Sequence, residues 1–270
     1  MSRASCLARR DRALCRERQE IDRMDGLIAL GWGLFAGSSL LVGALLGWFA
    51  RPSARVSAGV MAFGSGVLVS AIAFDLMDEA QRSGGLIASV IGFLAGALAF
   101  TLGALFLARA GAHRRKRSAG KSAPAATAAL AIALGSVFDG IPESMVIGLS
   151  LLQGGSVSVP IVIAIFLSNV PEGMSSATGM KRAGLSKIYV FGLCTGIALL
   201  CGLGSVAGFY LFDGAAPQYV AVAQGVAAGA MLAMIADTMI PEAFDEAHDA
   251  AGLITAAGFV TAFLLSHAFA

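Results

Sequence analysis

Three Pro-Glu pairs stand out in this chain of 270 residues because each lies inside an apolar run. The first is Asp139-Gly140-Ile141-Pro142-Glu143-Ser144, the second Ser168-Asn169-Val170-Pro171-Glu172-Gly173, and the third Asp237-Thr238-Met239-Ile240-Pro241-Glu242. In a helix, residues four apart share a face, so Asp139 with Glu143 and Ser168 with Glu172 each present two oxygen ligands together. The prolines add acceptors. Pro142 and Pro171 cannot donate to the carbonyls of Phe138 and Leu167, and Pro241 leaves that of Asp237 free. Freed carbonyls at membrane depth are tolerated where they line a polar cavity.

No basic residue is on hand to pair with these acids. Lys and Arg are missing from Ser122 to Met180 and again from Ile188 to Ala270. An ionised acid near the centre of a membrane helix costs roughly 2.5–3.5 kcal/mol. Asp139, Glu143, Glu172, Asp237 and Glu242 together would cost on the order of 12–17 kcal/mol in lipid, as much as a whole domain's stability. They must therefore face the interior of a bundle, where protons, water or metal cations neutralise them. One proline kink with a protonated acid needs no function; three Pro-Glu helices argue for a site.

The elements that hold these residues follow from composition. Hydrophobic residues make up 57% and charged residues 13%, about half the ~25% charge of a soluble domain. Eight apolar segments fall near the ~20 residues needed to cross a bilayer: 26–50, 56–76, 85–108, 125–152, 157–180, 188–212, 219–244 and 252–270. The chain is expected to be all-α and integral to a membrane: one eight-helix domain over residues 25–270, with a loop at about 109–124. Small-xxx-small pairs at Gly33/Gly37, Gly92/Gly96, Gly192/Gly196, Gly204/Gly208 and Gly225/Gly229 suit close helix approach, and such faces also suit a homodimer. Short alternating strands, the mark of a membrane barrel, are missing.

Basic residues orient the bundle. The loops after helices one, three and five hold eleven Lys or Arg, against Arg82 alone on the other side. Odd-numbered loops are thus expected in the cytoplasm and both termini outside it, in the cytoplasmic (plasma) membrane. The Arg-rich tail, residues 1–24, opposes that orientation; Met24, directly before the first span, suits a later translation start, and a disordered tail is the other expectation. No cleavable signal pattern precedes the first span.

With these motifs in hand, the chain resembles the ZIP (Zrt-, Irt-like) family of divalent-metal transporters. The likeness rests on the two x-Pro-Glu helices in order and on Gly229-Ala230-Met231-Leu232 leading to Ile240-Pro241-Glu242. It implies a two-metal site between helices four and five, with Glu143 and Glu172 at the family's bridging glutamates, and zinc as transported substrate. It implies neither a prosthetic group nor an enzyme. The ligand set departs from the family's pattern: Asp139 stands for a usual His and Gly140 for Asn, Ser168 and Asn169 replace stronger ligands, and Asp237-Thr238 replaces a His-Glu pair. An all-oxygen site of Asp139, Glu143, Ser168, Asn169, Glu172, Asp237, Thr238 and Glu242 should widen selectivity from Zn²⁺ toward Mn²⁺, Fe²⁺ and Co²⁺.

Weaker signals surround this core. Asp75, Asp78 and Glu79 close helix two, either as a solvated helix end or as an entrance that attracts cations, with Asp75 the stronger candidate. His113 sits among basic residues, a pattern that suits an anchor near anionic lipid. Cys194 and Cys201 lie in an apolar run, where packing is the ordinary role; Cys201 adds a soft ligand only if helix six turns it inward. Gly120-Lys121-Ser122 lacks the first glycine of a P-loop, and the basic loop lacks aromatic interleaving, so neither ATP nor nucleic acid is expected as a partner. Two rival readings remain: a proton-linked carrier of an organic substrate, and a metal sensor or scaffold that transports nothing.

Overall fold

The computed structural model describes the backbone of residues 11–50, 52–109, 125–154 and 157–269. Every element among the described residues is helical. α1 runs over Asp11–Leu45 and continues as a π-turn, Leu46–Ala50. α2 covers Ala54–Gly84 with a π-turn at Ile72–Leu76. α3 is Leu86–Arg109, α4 Ala125–Gly154, α5 Val159–Arg182 and α6 Lys187–Phe212. α7 starts as Pro217–Met234, widens into a π-turn at Ile235–Met239 and resumes as Ile240–Ala247; after a single 3₁₀ turn, α8 is Ala251–Phe269. Seven of these helices are long and apolar enough to cross a membrane; α4 is a helix of 30 residues. Residues 11–24 of the tail extend the first helix; residues 1–10, and nearly all of the loop expected at 109–124, lie outside the described residues.

Local sequence explains the joints. Ser53 and Ser186 cap α2 and α6, accepting hydrogen bonds from the amides of Val56 (3.3 Å) and Tyr189 (3.2 Å), which satisfies a helix-start donor that would otherwise be orphaned. Gly85, at φ 89°, lets the chain reverse between α2 and α3 in a conformation that a side chain would strain. Pro241 lacks the N–H that would bond the carbonyl four residues back, and the helix opens into its π-turn just before it. Pro142 and Pro171, by contrast, sit inside continuous helices.

α1 packs on α5 and α6, α2 on α8 and α5, α3 on α7, and α4 on α6 and α7. Exchanging α1 with α6, α2 with α7, α3 with α8 and α4 with α5 turns this set of pairings into itself. α2 and α7 match residue for residue at a shift of 163: their starts (54 and 217), their π-turns (72 and 235) and the helices that resume after them (77 and 240) all correspond. The end of each packs against the beginning of the other, so the two run antiparallel. This is the pattern of an inverted repeat, in which a pair of related halves faces a shared centre.

Glycines let the helices touch. A methyl group at Gly43 would collide with the carbonyl oxygen of Val170, and one at Gly173 with that of Leu40, so α1 and α5 lie backbone to backbone beside Glu172. Of the small-residue pairs in the sequence, Gly33/Gly37 meets α6, Gly204/Gly208 meets α4, and Gly92/Gly96 and Gly225/Gly229 meet across α3 and α7; Gly192/Gly196 faces open space. At one end of the bundle the Lys181 ammonium donates to the Trp48 carbonyl and lies 4.9 Å from the Trp48 ring centre, and Lys187 lies 4.6 Å from that of Phe49. The end of α1 therefore meets the α5–α6 turn, which brings two of the basic loops to one face, with aromatic rings where a membrane–water boundary favours them.

Candidate functional site

The acids of α4 and α5 are deep in the bundle. Asp139, Glu143, Ser168 and Asn169 are all buried, Glu143 to 2% exposure. Glu172 lies ten residues before Arg182, roughly 15 Å from the end of its helix at the usual rise. That is near the middle of its 24-residue helix, so in a membrane-spanning segment the acid would sit far from either water phase.

A cavity of about 20 Å³ opens between α2, α4, α5 and α7. Its polar wall is Asp139 from α4, Glu172, Ser175 and Ser176 from α5, and Thr238 and Glu242 from α7. Its apolar wall is Met61, Met234 and Met239. The volume suits roughly one water-sized body. An ion of that size fits it.

Glu143 does not line this cavity. The charges of Glu172 and Asp139 act on it, and the Asn169 side chain lies beside it; neither Glu143 oxygen makes a hydrogen bond of normal geometry. A buried carboxylate with both oxygens unmet is costly unless a cation or proton supplies the missing partner. Among the described residues, no three His, Cys, Asp or Glu side chains stand close enough together to hold a metal ion as they are placed. The donors surround a space; they do not close on a point.

The other expected residues divide. Thr238 faces the cavity while its hydroxyl donates to the Met234 carbonyl at 2.6 Å, leaving its lone pairs for a ligand. The Ser168 hydroxyl donates to the Ile165 carbonyl at 2.9 Å and does not line the cavity. Asp237 is exposed and does not line it either. Helical spacing accounts for that: Thr238 and Glu242 are four apart and share the inner face, whereas Asp237 is five before Glu242 and falls off it. Asp75 belongs to a different place. It lies fourteen residues beyond Met61 on α2, roughly 20 Å along the helix, where it accepts a 2.5 Å hydrogen bond from the Ser266 hydroxyl near His267 and Asp78.

Sequence reasoning missed Ser175 and Ser176, although Ser176 is four residues after Glu172 and on its face. It also left Cys201 undirected, and the structure turns that thiol toward α4 and the acids. A search against protein-family models finds no match, and no curated protein matches the chain.

Proposed function

We propose that this chain is a transporter of divalent metal ions of the ZIP type, spanning the cytoplasmic membrane eight times with both termini outside. Zn²⁺ is the leading substrate, with Mn²⁺, Fe²⁺ and Co²⁺ as weaker ones. The observation that carries the proposal is the meeting of Asp139, Glu172, Thr238 and Glu242 from three helices around a space of ionic size, with the buried Glu143 close enough to feel the charges of Glu172 and Asp139 and no Lys or Arg in these helix stretches. Hard oxygen donors suit divalent cations, and Zn²⁺ outranks Mn²⁺ and Fe²⁺ in affinity at most such sites. The inverted pairing of α2 with α7 supports alternating access, since rocking one half against the other would open a central site to each face in turn. Metal uptake into proteoliposomes tests it; Glu172→Gln should remove the flux while leaving insertion intact.

One observation favours a second reading, a metal sensor or scaffold without transport: three ligands do not converge as the side chains stand. Such a protein would bind the ion and release it only to the side from which it came. The same uptake assay separates the two.

A further inference from the structure

The apolar wall of the central cavity is all methionine. Met61 of α2 and Met234 and Met239 of α7 are three of its nine lining residues, in a chain where methionine is ten residues of 270. All three are buried, so none of them is spent on facing lipid or bulk water. The fold does not call for thioethers at these positions. At the shift of 163 that relates α2 to α7, Met234 corresponds to Ala71, Met239 to Leu76 and Met61 to Gln224, and those counterparts are buried as well, without sulfur. Ala, Leu, Ile and Val fill most of the surrounding core. Such residues serve packing at least as well as methionine, whose unbranched chain is flexible and specifies a core poorly. What methionine adds is a polarisable sulfur that accepts a soft cation. The same cavity carries Asp139, Glu172 and Glu242, so a cation inside it meets neutral soft donors and compensating negative charge together.

We propose that the cavity takes a second class of cargo, the soft univalent ion Cu⁺, held by the thioethers of Met61, Met234 and Met239 while the cavity's carboxylates balance its charge. This rests on the metal-transport reading and extends its substrates beyond divalent ions. Thioether ligands select Cu⁺, whereas carboxylate and hydroxyl oxygens suit the harder divalent ions, so the two kinds of ion use different walls of one space. Binding forms sulfur–copper bonds from lone pairs of neutral thioethers. No proton leaves the protein and no electron changes hands; copper enters as Cu⁺ and stays Cu⁺.

The test uses the purified full chain with selenomethionine in place of methionine, and Cu⁺ kept reduced under anaerobic conditions. X-ray absorption at the selenium edge reads methionine positions alone, so copper bound to a cysteine leaves no trace in it. The wild type should show selenium–copper scattering. The triple variant Met61→Leu/Met234→Leu/Met239→Leu, a volume-conserving change, should lose it. Its uptake of Cu⁺ relative to Zn²⁺ into proteoliposomes should fall roughly tenfold or more, the lower bound of what losing even an outer-shell partner costs. If the triple variant fails to fold, the single variants decide: each of the three leucine substitutions should remove part of the scattering, and Met24→Leu, at an exposed methionine outside the cavity, should remove none. A wild type without the scattering, or scattering that survives the leucine variants, in a protein that still carries Zn²⁺ would overturn the soft-ion assignment alone. A correctly inserted wild-type chain that carries neither Cu⁺ nor any divalent ion would overturn the transport reading with it.

Discussion

Glu143→Gln should make the metal-free protein more stable and the metal-loaded protein no more stable than the metal-free. The reasoning starts from burial: Glu143 is 2% exposed, its oxygens have only the Asn169 side chain beside them and no hydrogen bond of normal geometry, and the charges of Glu172 and Asp139 crowd it. Removing an ionised acid at mid-helix relieves at most about 2.5–3.5 kcal/mol, and the amide keeps the shape. Metal acts in the opposite sense. A ligand at a hundred times its Kd stabilises the folded state by about 2.7 kcal/mol, worth roughly 5–10 °C on the scaling for domains of this size. Thermal unfolding in detergent, with and without Zn²⁺, should therefore show a wild type that is lower without metal and rises with it, and a variant that starts higher and stays put. A structural role predicts the reverse, because removing a residue that holds the bundle together destabilises it. A Glu143→Gln protein that melts below the wild type and still rises with Zn²⁺ would refute the argument.

Three further outcomes follow from the geometry. Glu242→Gln should abolish metal uptake and Asp237→Asn should leave it near wild type, since only Glu242 lines the cavity; equal losses in the uptake assay would mean that Asp237 turns inward in another state. Gly148→Ala should destabilise the protein by about 1–3 kcal/mol as overpacking, because its methyl group would collide with the Ser205 carbonyl of α6; denaturation in mixed micelles reads it. Asp139→His should shift preference toward Zn²⁺ over Mn²⁺, as imidazole suits the former; competition of Mn²⁺ against Zn²⁺ uptake that is unchanged by the substitution would place selection elsewhere, with Asp75 as the next candidate.

Much of this was legible in the residues. Apolar length gave most helix bounds to within a few residues, but the first helix begins at Asp11 rather than 26 and the second ends at Gly84 rather than 76, because hydropathy fades through the interface while polar helical turns continue, in the second to the reversal at Gly85. The four-residue spacing put Asp139 and Glu143 together on the inner side of α4. What failed was the inclusion of Asp237: it lies five residues before Glu242, whereas Asp139 lies four before Glu143, and it is Thr238 that holds the four-residue position and lines the cavity. The matching of α2 and α7 went unseen because it survives in so few residues, among them Ile72-Ala73 against Ile235-Ala236 and Glu79-Ala80 against Glu242-Ala243. Cys201 was illegible for a simpler reason: α6 is apolar all round, so periodicity could not say which side of it meets the acids.

The central claim is that this chain carries divalent metal through the membrane by way of Glu143 and Glu172. It is tested most directly by loading proteoliposomes with a metal-sensitive dye and adding Zn²⁺, Mn²⁺, Fe²⁺, Co²⁺ or Cd²⁺ outside. Wild-type vesicles should fill with Zn²⁺ and at least one of the others, and vesicles with Glu143→Gln or Glu172→Gln should fill no faster than protein-free ones. Uptake at the wild-type rate by either variant, or no uptake of any ion by correctly inserted wild-type protein, would contradict it.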